Sequence, residues 1–296
     1  MQVISLLLPD FILILMGVII FRITDWGAAF WAGMEKMDYY LLFPALLFYS
    51  TARLQLNLAT TGKFVEVGVL ALLAGVALTW IGKPFIKTSP MTYESGMQTA
   101  FRFNSYIALA LASRLAGEKG VGLMALLIGF GVPLCNMAAV HALAHRSGNL
   151  FSELMRNPLL IATGAGLLFA LCGFTLPEVA GAVLSRLGSA SIALGLLMVG
   201  AGLRLSGIRE DKLMTVYFTA IKLLAVPTVA YVLGRWLELP QLQLQIVVLF
   251  CSLPTASSCY ILAARMGGNG PMTAFLISLG TLVSAVTIPF WLMLVH

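Results

Sequence analysis

The sequence predicts an all-α integral membrane protein of about ten transmembrane helices, arranged as two inverted five-helix repeats whose fourth and ninth helices are broken. Three observations carry that prediction. Hydrophobic residues make up 60% of the 296-residue chain and charged residues only 10%, with a mean hydropathy of +0.96. A soluble domain carries about 25% charged residues because its surface must face water, so the solvent for this chain is the bilayer. Apolar stretches of about 20 residues, the length a helix needs to cross a hydrocarbon core, recur throughout. Two of them are interrupted at matching places in the two halves, at Phe101-Arg102-Phe103-Asn104-Ser105-Tyr106 and at Cys251-Ser252-Leu253-Pro254-Thr255-Ala256-Ser257.

In chain order the spans read 3–21, 37–54, 64–85, 93–115, 120–144, 158–176, 180–203, 213–234, 241–265 and 271–295. The first is read as a retained span: Met1 to Leu8 has no basic stretch or small-residue cleavage site, and Asp10 stands where a leader would stay apolar. The second contains Pro44, the fifth carries Pro133, Asn136 and His141, and the eighth holds Lys222 and Pro227. The fourth and ninth contain the interruptions. Backbone groups in lipid must be bonded within their own segment, so every span is expected to be helical. Alternating barrel patterning is absent. Cys135, Cys172, Cys251 and Cys259 all fall inside these spans without a CxxC pair. They read as small apolar packing residues, neither a disulfide framework nor a zinc site. No metal site and no cofactor is expected; a coupling ion, proton or sodium, is left open.

A shift of 151 residues places Leu111, Ala112, Arg114, Gly117 and Gly129 on Leu262, Ala263, Arg265, Gly268 and Gly280 without a gap. Residues 1–146 and 157–296 therefore read as two five-helix repeats of a single transmembrane domain 1–296, joined by the polar hinge 145–157. Five is odd, so the second repeat enters the membrane inverted. Placing Arg22, Lys36, Lys83, Lys87, Arg146, Arg156, Arg204, Arg209, Lys212 and Arg265 on the inner side leaves Arg53, Lys63, Arg114, Lys119, Arg186 and Arg235 outside. That bias puts both termini on the outer side of an inner (plasma) membrane. The formal charge of +6 is thus mostly topological, and no concentrated basic face suggests nucleic acid.

Paired interruptions in inverted repeats are the sequence mark of a midplane site in a secondary transporter. Asn104 and Ser105 compete with the helix ladder and favour its N-cap, so a second half-helix is expected to begin near Ser105. Such an end attracts a carboxylate or phosphate through its donors and dipole. In the partner segment Pro254 removes an N–H, while Thr255, Ser257 and Ser258 supply hydroxyls. The alternative is a proline kink relieved by Ser/Thr bonding, with no ligand. Arg102 is a deep cation and a functional candidate by default. It reads either as a substrate contact or as the ion-pair partner of Asp10, Asp38 or Glu66. Lys222, the other deep cation, reads first as a snorkelling or acid-paired residue, with ligation or a coupling role as the alternative. Asp10 and Glu66 read as interfacial, with a proton-coupling role as the alternative. His141 reads as a polar residue near a cytoplasmic end or as a pH-sensitive relay. Pro44, Pro133 and Asn136 are candidates for lining the cavity. No paired acids or His/Asp clusters on adjacent turns suggest an enzyme, and no catalytic residue is assigned.

At these residues the chain resembles the auxin efflux carrier family of permeases. The resemblance covers nearly the whole chain. It is carried by Leu253-Pro254-Thr255-Ala256 through Ala264, by Leu279-Gly280-Thr281-Leu282-Val283-Ser284-Ala285-Val286-Thr287-Ile288-Pro289, by Asp38-Tyr39-Tyr40-Leu41-Leu42-Phe43-Pro44-Ala45-Leu46, and by Asn104. It implies ten helices, crossing broken helices four and nine, and a scaffold half moving against a transport half. It also implies a carboxylate bound near Asn104 and a homodimer. Ser105 to Ala108 depart from the small Gly-containing residues common in the family, and Arg102 adds a positive charge. These departures favour a more anionic substrate than a plant hormone. The expected function is alternating-access transport of a small organic anion, such as malonate or malate. A sodium-coupled carrier of the bile-acid type and a non-transport membrane sensor are the alternatives.

Overall fold

The computed structural model describes residues 2–54, 58–143, 158–203, 212–256 and 258–295. Every regular element among them is helical. The helices are α1 (Gln2–Ile23), α2 (Ala28–Met37), α3 (Phe43–Ala52), α4 (Leu58–Gly82), α5 (Pro90–Met97), α6 (Ser105–Leu143), α7 (Pro158–Leu171) and α8 (Glu178–Ala201). They continue with α9 (Lys212–Ala220), α10 (Val226–Trp236), α11 (Gln241–Ser252), α12 (Ser258–Arg265) and α13 (Gly270–Val295). Five helical stretches are both long and apolar enough to cross a membrane: Thr61–Phe85, Pro90–Leu143, Glu178–Ala201, Lys212–Trp236 and Gly270–Val295. Pro158–Leu171 and Gln241–Ser252 are shorter apolar helices.

The thirty-nine residues of α6 would reach roughly 58 Å as a straight rod, about twice a hydrocarbon core. They do not run straight. Ala116 and Gly117 leave helical geometry, with Gly117 at φ 55°, a conformation glycine reaches without a Cβ penalty. A Cβ on Gly120 would collide with the Ala112 carbonyl oxygen. In an unbroken helix eight residues would hold those positions about 12 Å apart, so the chain turns sharply here. The second half turns at Gly267, φ 73°, one residue before the sequence match of Gly117.

Prolines explain the two π segments. Asp38–Leu42 joins α2 to α3 and Ile221–Ala225 joins α9 to α10, each followed two residues later by Pro44 or Pro227. A proline ring clashes with the carbonyl four residues earlier and leaves it without a donor, which a widened turn relieves. For Pro227 that carbonyl belongs to Leu223, and the Trp291 indole Nε1 donates to it at 2.9 Å. Helix α7 stops at Leu171, short of the expected 176, because Gly173 (φ 70°) closes it with a Phe174 N–H bond back to the Phe169 carbonyl. Cys172 is consequently exposed just beyond the helix, not inside a span.

The described chain forms two compact units, each discontinuous in sequence. The first comprises residues 1–61, 106–129 and 151–202, and the second 62–105, 130–150 and 203–296. In the first, α1 meets α8 backbone to backbone: a Cβ on Gly17 would strike the Leu197 carbonyl, and one on Gly200 the Ile14 carbonyl. Small residues at close crossings are how helices associate in lipid, where burial of apolar surface no longer drives them together. Helix α3 packs on α7 and α8. In the second unit, α11 packs on α10 and α13. Tyr93 and Tyr217 tie into α4 through hydroxyl bonds to the carbonyls of Thr79 and Leu78, both 2.6 Å.

Candidate functional site

Helix α5 opens at Pro90 behind an N-cap serine, Ser89, which accepts the Thr92 N–H. It tightens into a 3-10 turn, Gln98–Ala100, and stops. Phe101 to Asn104 lie outside helix, and α6 starts at Ser105. In the second interruption α11 stops at Ser252, Leu253 is extended (φ −62°, ψ 147°), and α12 starts at Ser258. Both interruptions belong to the second unit, and they are bonded to each other. The Asn104 N–H donates to the Pro254 carbonyl at 2.8 Å, and Thr255 Oγ1 donates to the Thr99 carbonyl at 2.5 Å. Gln98 Nε2 reaches the Cys259 carbonyl at 3.1 Å. Each break therefore satisfies backbone groups that the other exposes, as buried backbone requires.

Arg102 is 9% exposed, and its guanidinium sits among acceptors. It donates to Gln98 Oε1 at 2.9 Å, Asn136 Oδ1 at 2.9 Å and Ser258 Oγ at 3.0 Å. All three are neutral, and all lie in its own unit. The carboxylates considered for it are engaged or placed otherwise. Asp10 faces Arg114 at 3.7 Å, Asp38 has hydroxyl neighbours, and Glu66 is exposed. Lys222 does not snorkel, and among the described residues it meets no acid. It is 2% exposed in the second π segment, and its Nζ lies 3.4 Å from the Cys251 carbonyl, at the last turn of α11. A helix C-terminus is the end that welcomes a cation. With Thr255 on the end of α5 and Lys222 on the end of α11, both carbonyl ends at the interruptions are answered. The half-helix N-termini and two buried cations leave the local field positive.

The remaining candidates fall in several places. Asn104 is 2% exposed, Ser105 is half-buried as the first residue of α6, and Pro254 is buried. Ser257 lies outside the described residues. Pro44 is half-buried at the start of α3, and Pro133 is buried inside α6. His141 is exposed near the end of α6, its ring 6.3 Å from that of Trp80. Gln98 was not singled out from sequence, although its spacing to Arg102 is the i, i+4 interval of neighbours on one helix face. Glu94 was missed as well: it is buried and bridged by Lys83 at 3.0 Å.

Residues 143–292 match the membrane transport protein family. The chain belongs to this family. It is thus a multi-pass membrane protein of a family of transporters, the family of the auxin efflux carriers that the interruptions resemble. Two relatives match almost end to end. An "Uncharacterized transporter" of Methanothermobacter thermautotrophicus is 23% identical over 290 residues, 95% of this chain and 94% of that protein. A "Putative malonate transporter" of Rhizobium meliloti is 24% identical over 308 positions, covering 100% of this chain and 96% of the relative.

Proposed function

We propose that this family member is a secondary carrier that moves a small organic anion, a dicarboxylate of the malonate or malate kind, across the inner membrane by alternating access. The observation that carries the reading is Arg102, a buried guanidinium whose hydrogen bonds to Gln98, Asn136 and Ser258 all go to neutral groups. A cation held deep in a bilayer costs at least about 2.5–3.5 kcal/mol, and it persists where it serves a ligand or a relay. An arriving carboxylate supplies the missing charge and takes bidentate hydrogen bonds in exchange for neutral ones. Asn104, Ser105, Thr255 and Ser258 line the same interruptions, and Lys222 adds a second positive charge to the field. Two cations suit two carboxylates. The malonate in the name of the Rhizobium relative agrees with that count.

The architecture proposed with this function is ten spans in two inverted repeats, 1–146 and 157–296, with a scaffold half and a transport half. The sodium-coupled alternative finds little support at the interruptions. Unwound carbonyls at a half-helix C-terminus are where such carriers hold sodium, and at Cys251 a tethered ammonium already takes that place.

Purified protein in proteoliposomes tests the reading. Radiolabelled malonate is expected to enter with saturation, to be accelerated by malonate trapped inside, and to be competed by malate but not by glucose or ethanolamine. Arg102→Ala is expected to abolish saturable uptake while inserting normally. Selective carriage of an amine or a sugar would sink the anion assignment.

A further inference from the structure

The first unit holds a buried acid that the reading above does not use. Asp38 opens the π segment between α2 and α3 and is 0% exposed. The hydroxyls of Ser191, on α8, and Tyr106, at the start of α6, are its hydrogen-bond neighbours. Neither carboxylate oxygen receives a well-aligned hydrogen bond, and the Ser191 hydroxyl, itself 0% exposed, is also without one. Among the described residues no cation pairs with Asp38. Besides Asp38, the charged or titratable neighbours that act on Tyr106 are Glu35 and Tyr39, an acid and a phenol. Helix α7 brings no titratable side chain, and Lys36, Glu178 and Arg186 are exposed.

The pocket is built for this arrangement. A Cβ on Gly195 would collide with the Tyr106 ring, so the glycine admits that ring against α8. Phe43 packs against the same ring, edge to face at 5.3 Å. Asp38 opens the π turn that leads into α3, and such turns recur at functional sites.

We propose that Asp38 binds a proton, with the Ser191 and Tyr106 hydroxyls as its partners, and that this proton is coupled to anion movement. A bare carboxylate sealed from water without a counter-charge is far costlier than a neutral carboxyl, which supplies its own donor to a hydroxyl oxygen. Two hydroxyls and one carboxylate are too few oxygens to replace the hydration shell of a metal cation. Tyr106 is the second residue of α6 and stands two positions after Asn104 in the chain. A change of partner at the Tyr106 hydroxyl therefore acts on the helix turn that begins at Ser105. The proton site stands on the geometry of the first unit alone; the coupling rests on the carrier reading.

Infrared difference spectroscopy of the whole protein in nanodiscs decides the first part without any substrate. The wild type is expected to show a protonated-carboxyl band that shifts in heavy water, fades as pH is raised, and is missing in Asp38→Asn. Ser191→Ala should keep the band and move its frequency. If Asp38→Asn does not insert, Asp38→Glu serves, since it retains a carboxyl with a displaced band. A spectrum in which the substitution removes only an ionised-carboxylate band at every pH, or one that responds to sodium replacing choline at fixed pH, overturns the proton site. For the coupling, malonate uptake by the wild type should rise severalfold under an imposed pH gradient. Asp38→Asn should keep malonate–malonate exchange and lose that stimulation; stimulation that survives overturns the coupling. A wild type that carries no malonate defeats the substrate reading and, with it, the coupling, while the infrared band still decides the proton site.

Discussion

Arg102 and Lys222 are both buried cations, yet their surroundings assign them different consequences. Arg102 spreads its donors over Gln98, Asn136 and Ser258, a fork that a lysine's single ammonium cannot reproduce. Arg102→Lys is therefore expected to raise the malonate KM by about tenfold or more, roughly 1.4 kcal/mol, as read from uptake kinetics. Its thermal unfolding should move little, because charge and approximate volume are kept. Lys222 makes one long bond to a carbonyl, so Lys222→Met removes a desolvated charge and fills the same space. Replacing buried charge by an apolar side chain is often neutral or stabilising. The expected outcome is an unchanged or higher Tm, with affinity falling more for dicarboxylates than for monocarboxylates in a thermal-shift titration. Arg102 was legible in the sequence because a charge amid apolar residues announces itself. Gln98 was not, because an uncharged polar side chain near a helix end looks the same whether it serves a site or the solvent. Asp38 was visible as an ion-pair candidate for Arg102 and as the start of a family-like segment, but not as a secluded acid. Its seclusion depends on Ser191, which is 153 positions away, and no local pattern reports that.

At the scale of elements, the two interruptions are one structure. Thr255 Oγ1 covers the Thr99 carbonyl, and the Asn104 N–H covers the Pro254 carbonyl, so neither break is satisfied alone. Thr255→Val keeps the shape and removes the hydroxyl, leaving a buried carbonyl without its partner. That costs about 1–3 kcal/mol, expected as a lower Tm in detergent with the helical circular dichroism of the folded state retained. The breaks themselves were readable from Asn104, Ser105 and Pro254, residues whose chemistry competes with a helix. The π segments were not, although Pro44 and Pro227 were in view. Proline marks where a helix must yield, while whether it kinks, ends or widens depends on who rescues the orphaned carbonyl. For Leu223 the rescuer is Trp291, from the far end of the chain. The turn at Ala116–Gly117 was anticipated as the gap between the fourth and fifth spans, since apolar lengths beyond one bilayer thickness must fold back.

At the scale of the whole molecule, composition was the most informative signal, because the ratio of apolar to charged residues identifies the solvent before any element is placed. The grouping of helices into two compact units drawn from both halves of the sequence lay beyond it, since close crossings such as Gly17 on Leu197 and Gly200 on Ile14 are made by glycines that look alike in sequence. Charge, in contrast, speaks directly about orientation. Lys and Arg in short loops resist crossing the membrane, and the basic residues of this chain divide unevenly once spans alternate. The ten proposed spans would place both ends of the chain on one side, and the excess of basic residues in the intervening loops favours the outside for that side. An alkaline phosphatase fused after His296 is therefore expected to be active in a bacterial host, and a green fluorescent protein at the same position to be dark. The reverse pattern would mean an odd number of crossings or the opposite orientation. Fusions within 145–157 separate these: a fluorescent reporter there should light if the hinge between the repeats is cytoplasmic, as ten spans with outer termini require.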